Sequence, residues 1–176
     1  MRTFLSILIL LVLRTSILNA EWKVAQPDPE FIFPRDEYAH PDYRTEWWYF
    51  TGNLTDENGQ RYGYQLTFFR QGIRPPGERE EAKSSFVVND FWFAHLAISN
   101  LDRGKFSFDQ RLSRGALGSS GSVPGDDARL VWVEDWSLER TSEESGNYHL
   151  KATADGLALD LELSTERPPV LQGQNG

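Results

Sequence analysis

Three acid–aromatic groupings are the residues of this sequence best suited to chemistry: Glu46-Trp47-Trp48, Asp90-Phe91-Trp92 and Asp135-Trp136. A carboxyl group enclosed by rings loses solvation, which raises its pKa and lets it stay protonated near neutral pH. In that state it can hand a proton to an alkene, and neighbouring aromatic faces stabilise the cation that forms. The plainer reading is that the rings build a core while the acids cap strand ends or pair with Arg44 and Arg140. That plainer role is the expectation at each of the three.

Other chemistries find little support. Gly118-Ser119-Ser120-Gly121 has the wrong spacing for a nucleophile elbow. There is no phosphate-binding loop and no dinucleotide fingerprint. The histidines, His40, His95 and His149, are far apart and without ligand spacing, so neither a metal nor any other cofactor is expected. His95, between Phe93 and Ala97, is expected as a satisfied core histidine. Arg35, Asp36, His40 and Arg44 gather just before the first strand and read as a hydrogen-bonded plug rather than a site.

The elements that must position these residues are strands. Glu46–Thr55 and 61–70 flank Asp56-Glu57-Asn58-Gly59, whose Asn-Gly is a hairpin signal. Phe91–Ser99 and the alternating 105–112 are separated by an Asn100–Gly104 turn. Shorter strands are expected at 129–133 and 136–140. A final hairpin joins 148–154 to 157–164 through Asp155-Gly156, with Leu157, Leu159, Leu161 and Leu163 on one face. No stretch keeps a helical period for three turns. The fold class is therefore all-β, an antiparallel up-and-down meander forming a barrel or a strongly curved sheet. Phe91–Ile98 is apolar on both faces, so it should run centrally with its outer side covered. The polar segment 74–85 and the Gly/Ser-rich segment 115–127 are expected as solvated loops, with a lid over a barrel mouth as the alternative.

Small barrels can hold one ligand, in pockets that are mostly apolar with a few placed polar groups. The candidate lining residues are Glu46, Trp47, Trp48, Tyr49, Tyr64, Phe68, Trp92 and His95. Alternation sets Glu46, Trp48, Phe50 and Leu54 on one face of the first strand and Trp47 and Tyr49 on the other. It does not say which face is interior.

Residues 1–20 have the layout of a secretory signal peptide: Arg2, an apolar run from Phe4 to Leu13, and a small residue at Ala20. The run is about half the ~20 residues a membrane span needs, so no span is expected after cleavage; a retained N-terminal anchor is the alternative. Periplasmic or secreted localisation follows, and with no cysteine in the chain packing alone must hold the domain. Losing Arg2 and Arg14 takes the formal charge from −8 to −10, which argues against nucleic acid and anionic membranes as partners. Residues 21–45 form an extended lead-in, its proline-spaced part 21–35 expected to run over the surface, 46–166 the β-domain, and 167–176 the start of a linker. The chain thus reads as a fragment of a longer protein.

An ordered series of motifs adds a family resemblance. Phe33-Pro34-Arg35-Asp36, His40-Pro41 and Arg44-Thr45-Glu46-Trp47-Trp48-Tyr49-Phe50-Thr51-Gly52-Asn53-Leu54 open it. Phe93–Ile98, Arg111–Gly118, Glu134-Asp135-Trp136-Ser137 and Pro168-Pro169-Val170-Leu171 continue it. Together these resemble the lipocalin-like family of carotenoid 1,2-hydratases and AttH-type secreted proteins over about 33–176. The resemblance implies two consecutive lipocalin-like β-domains, of which this chain supplies the first. It implies a hydrophobic small molecule as ligand, isoprenoid- or lipid-like, and a second domain of the same protein as partner. Cofactor-free hydration or cyclisation of an alkene, or hydrolysis, by the whole protein is the alternative it carries. The acid-bearing run of the hydratases has no counterpart here, so no catalytic residue is transferred. A structural module packing on the other domain without ligand is the third reading.

Overall fold

The structure, a computed structural model, describes residues 21–79, 84, 86–124, 129–142, 146–170 and 172. The expected signal peptide at 1–20 lies outside the described residues. So do most of the linker's end and parts of both long connections.

Among the described residues there are nine strands and three single turns of 3-10 helix. The first four strands, β1 (Thr45–Thr55), β2 (Arg61–Gly72), β3 (Asp90–Asn100) and β4 (Lys105–Ser113), form one antiparallel sheet in that order. The other five, β5 (Ser120–Gly121), β6 (Arg129–Val133), β7 (Trp136–Arg140), β8 (Asn147–Ala154) and β9 (Leu157–Ser164), form a second. Consecutive strands pair with consecutive strands throughout, as the meander expectation required. Of its two closures, the described residues show two separate sheets rather than a closed barrel: no pairing joins β4 to β5 or β1 to β9. The sheets share one core, with Leu66, Phe68, Ala94 and Leu96 from the first and Val131, Trp136, Leu138 and Leu150 from the second all at most 1% exposed.

Turn chemistry explains the hairpins. Asp56 Oδ1 accepts hydrogen bonds from the Asn58 and Gln60 amides at 2.9 and 2.8 Å. Gly59, at φ +78°, then completes the reversal between β1 and β2. Between the sheets the chain turns through Gly115 and Gly118, both at φ +73°, which carry it from β4 to β5.

The outward faces of the two sheets differ sharply. Across the first sheet the register aligns Trp47, Phe69, Phe93 and Leu112 in one row, and Tyr49, Thr67, His95 and Gln110 in the next. Thr51, Gln65, Ala97 and Phe108 follow, then Asn53, Gly63, Ser99 and Phe106. No Asp, Glu, Lys or Arg occurs in these four rows. Across the second sheet the equivalent rows read Ser137, Lys151, Asp160 and Glu139, His149, Glu162.

Two expectations are corrected here. β3 does run between β2 and β4, yet no described segment covers its outer side, where Phe91 is 43% exposed. His95 is on that outer side, with ring centroids of Phe69, Phe93 and Phe108 at 5.3, 5.6 and 5.7 Å. A strand apolar on both faces gives alternation nothing to distinguish, so the core assignment for His95 went to the wrong face. Past the proline-spaced 21–35, a turn of 3-10 helix at Arg35–Glu37 delivers Glu37 and Tyr38 into the interior.

Candidate functional site

β1 is an edge strand, and its inward face stands against β6, β7 and β8 of the other sheet with a gap between them. The gap is an open cleft of about 600 Å³. Trp48 and Phe50 form one wall, and Leu130, Leu138 and Tyr148 the other. Trp48 is stacked on Trp92, ring centroids 6.3 Å apart, and Phe50 meets Tyr148 edge-on at 6.2 Å. Ring-on-ring contacts hold both wall residues, Trp48 from the core side and Phe50 across one end of the cleft.

The lead-in supplies the polar end. Glu37 accepts a hydrogen bond from the Tyr148 hydroxyl at Oε1 (2.9 Å), and its Oε2 is 3.5 Å from Arg140 Nε. Its backbone carbonyl accepts from Trp48 Nε1 at 2.8 Å. One short turn thereby ties β1, β7 and β8 together around a carboxylate whose side chain is 6% exposed.

Beside the cleft, alternating charges form a chain of contacts centred on Arg70. This guanidinium, 1% exposed, donates from Nε to Glu46 Oε2 and from Nη1 to Asp90 Oδ1, both at 2.7 Å. Its Nη2 donates to the carbonyls of His40 (2.9 Å) and Tyr43. Glu46 also accepts from the His40 amide at 2.8 Å and faces the ring Nδ1 at 2.7 Å. The other ring nitrogen of His40 is 3.2 Å from Asp36. Arg35 beside Asp36, then the Ile32 amide and His40, hold the Asp36 carboxyl well below the usual carboxylate range. Arg79 completes the series by pairing with Asp90.

This is the polar plug anticipated around Arg35, Asp36 and His40, with different partners. Glu46 pairs with Arg70, not Arg44, and Asp90 pairs with Arg70 and Arg79. Arg44 contributes its carbonyl, to the Gly72 amide at 2.7 Å. Arg140 pairs with Glu37 instead of with one of the three singled-out acids. Glu46 shares the inward face with Trp48, where sequence left the face open.

Of the eight anticipated pocket residues, Glu46, Trp47 and Trp48 line the cleft, Trp47 from its outer lip. Tyr64, Phe68 and Trp92 are inward but packed into the core, 8, 0 and 6% exposed; burial raises the Tyr64 phenol above its ordinary value. Tyr49 and His95 are on the outward face of the first sheet, away from the cleft. Sequence reading missed Glu37, Tyr38, Leu130, Leu138 and Tyr148. Phe50 was within reach, since alternation already placed it beside Trp48.

The third acid–aromatic pair is a packing device. Glu134 and Asp135 make the turn between β6 and β7, Glu134 at φ +57°. Trp136, fully buried, donates from Nε1 to the Thr153 carbonyl at 2.7 Å. Arg111 is poised over the Trp136 ring at 4.7 Å and is 3.6 Å from Asp135. The Thr153 hydroxyl, aided by Arg111, keeps the Asp135 carboxyl below its ordinary value. Among the described residues no group of three or more His, Cys, Asp or Glu is arranged to hold a metal.

Comparison with known proteins matches this architecture. The model of the AttH-like family matches residues 24–176. A crystal structure of a protein of Nitrosomonas europaea assigned to AttH superposes with a TM-score of 0.69 at 32% identity. The match covers 86% of this chain and 43% of that one, so this chain spans less than half the relative's length. No curated protein sequence matches. A family model over nearly the whole β-region, together with a solved relative at that identity and coverage, is decisive: this chain belongs to the AttH-like family.

Proposed function

We propose that this protein binds a hydrophobic, isoprenoid- or lipid-like molecule in the cleft between its two sheets. The observation that carries the reading is the cleft itself: about 600 Å³, walled by Trp48, Phe50, Leu130 and Leu138. That volume is within the range of small-molecule sites, which pair apolar walls with a few convergent polar groups. Glu37 and Tyr148 supply such groups at one end. An elongated apolar ligand carrying one hydroxyl would lay its chain along the rings and its hydroxyl toward Glu37.

Binding is favoured over acid catalysis by the engagement of Glu46. A general acid needs a transferable proton facing the substrate, whereas both Glu46 oxygens are already occupied by Arg70 and His40. The leader-like sequence at 1–20 supports an exported protein that meets its ligand outside the cytoplasm. Spanning less than half of its solved relative, the chain is read as one part of a longer protein.

The test is titration of the purified protein with a panel of isoprenoid alcohols and fatty acids, read by tryptophan fluorescence. Trp48 forms a cleft wall, so a bound chain changes its emission saturably. A flat response to the entire panel rejects the proposal.

A further inference from the structure

The outward face of the first sheet is built for contact with protein, not with water. A quarter of the chain is charged, and the outward face of the second sheet shows how this chain treats solvent: Lys151, Asp160 and Glu162 are exposed along it. The four outward rows of the first sheet named above hold no Asp, Glu, Lys or Arg; the nearest charge on that face is Arg61, opposite Thr55 at its end, where it pairs with Asp102. Trp47, Phe106, Phe108 and Leu112 are instead 64, 68, 53 and 67% exposed there. Depletion of charge with enrichment in aromatics is the compositional signature of an interface core. Contiguous apolar patches of this kind mark interaction sites.

The size of the patch selects the occupant. Four strands about 4.8 Å apart, over some nine residues at about 3.4 Å each, make a face of roughly 500 Å². Covered by an equal partner surface, the buried total is roughly 1,000 Å², short of the ~1,200–2,000 Å² typical of independent stable complexes. It is well inside the ~600–1,500 Å² of contacts between domains of one chain. Covalent linkage supplies an effective concentration near millimolar, which lets a modest patch close. A second copy would gain no such advantage and would bring together two chains of formal charge −8. The solved relative has more than half of its length beyond the matched part.

We infer that the outward face of β1 to β4 is the docking surface for a further domain of the same polypeptide, one presenting an apolar, uncharged surface to it. This rests on the reading of the chain as part of a longer protein, and the experiment separates the two. The chain has no cysteine, so Leu112→Cys and Phe106→Cys report on the face and Glu162→Cys on the charged face of the second sheet. Each is placed in the polypeptide encoded by the complete reading frame, and maleimide labelling is timed against the same protein in urea. The expected result is labelling of the first two at least tenfold slower than Glu162→Cys. A reading frame that stops at Gly176 overturns both the longer-protein reading and the docking. A longer frame in which all three sites label alike overturns the docking alone. Protection that disappears on dilution identifies a second copy as the occupant and also overturns it.

Discussion

Arg70 shows what a single buried charge requires. Taking a guanidinium out of water costs several kcal/mol, offset only when counter-charges and acceptors surround it. Here Glu46, Asp90 and two backbone carbonyls do so. Glu46→Gln keeps the shape and removes one counter-charge. We expect a loss of about 2–4 kcal/mol, below the top of the range for breaking a buried pair because Asp90 remains. Urea midpoints of the two proteins measure it, and a loss under about 0.5 kcal/mol, the scale of a surface substitution, would show that the pair is not holding the lead-in. Asp36 gives the acid limb its shape. Its folded pKa is lowered by Arg35, the Ile32 amide and His40, so its contribution is fully present above the unfolded value of about 3.9 and fades as pH falls below it. Stability of Asp36→Asn should therefore depend less steeply on pH below about 4 than that of the parent, as unfolding at successive pH values would reveal. Half of this cluster was legible in sequence, because Arg35, Asp36 and His40 are neighbours in the chain. Arg70 was not, because only the strand register sets it opposite Glu46.

Apart from β5, a buried two-residue strand inside the segment expected as a solvated loop, strand boundaries followed the sequence closely because alternation and turn residues agree with each other. The hairpin of β8 and β9 has both signals: Leu157, Leu159, Leu161 and Leu163 point inward, and Gly156 supplies the positive φ at its turn. β3 has the turn signal at Asn100–Gly104 but no alternation, and its faces were not separable until β2 and β4 were seen on either side. The passage between sheets rests on Gly115 and Gly118, a role no periodicity announces. At φ +73° a Cβ on residue 115 meets the Ser120 carbonyl oxygen at 3.4 Å, an ordinary contact, so the cost is backbone strain rather than collision. Gly115→Ala should lose about 1–2 kcal/mol, the left-handed penalty of an ordinary residue, and melt about 2–8 °C lower for a domain of this size. Gly63→Ala is the control: nothing surrounds its Cβ within 4 Å and its φ is ordinary. Its melting temperature should hold or rise slightly, because alanine in a strand interior orders at less entropic cost. Equal melting of Gly115→Ala and the parent would mean that the chain can cross between the sheets without a left-handed residue at 115.

At the scale of the molecule, two sheets enclose a core, one face is dressed for water, another is left apolar, and an edge stands open as a cleft. Each has a separate physical signature, and the cleft's is linkage. A ligand that binds the folded state alone raises stability by RT ln(1 + [L]/Kd), about 2.7 kcal/mol at a hundredfold excess over Kd. For a domain of this size that corresponds to a rise of about 5–11 °C in melting temperature. Phe50 is half-buried and forms part of the wall opposite Leu138. Phe50→Lys can extend its ammonium to water while removing the ring that would lie along an apolar chain. It loses the edge contact with Tyr148, so its own melting temperature falls modestly, and the informative quantity is the shift with ligand. Any isoprenoid alcohol that stabilises the parent by several degrees should leave Phe50→Lys unshifted. Phe108→Lys, on the outward face, should respond as the parent does. Equal shifts in all three would place the ligand outside the cleft, with the aromatic face ruled out by the same measurement.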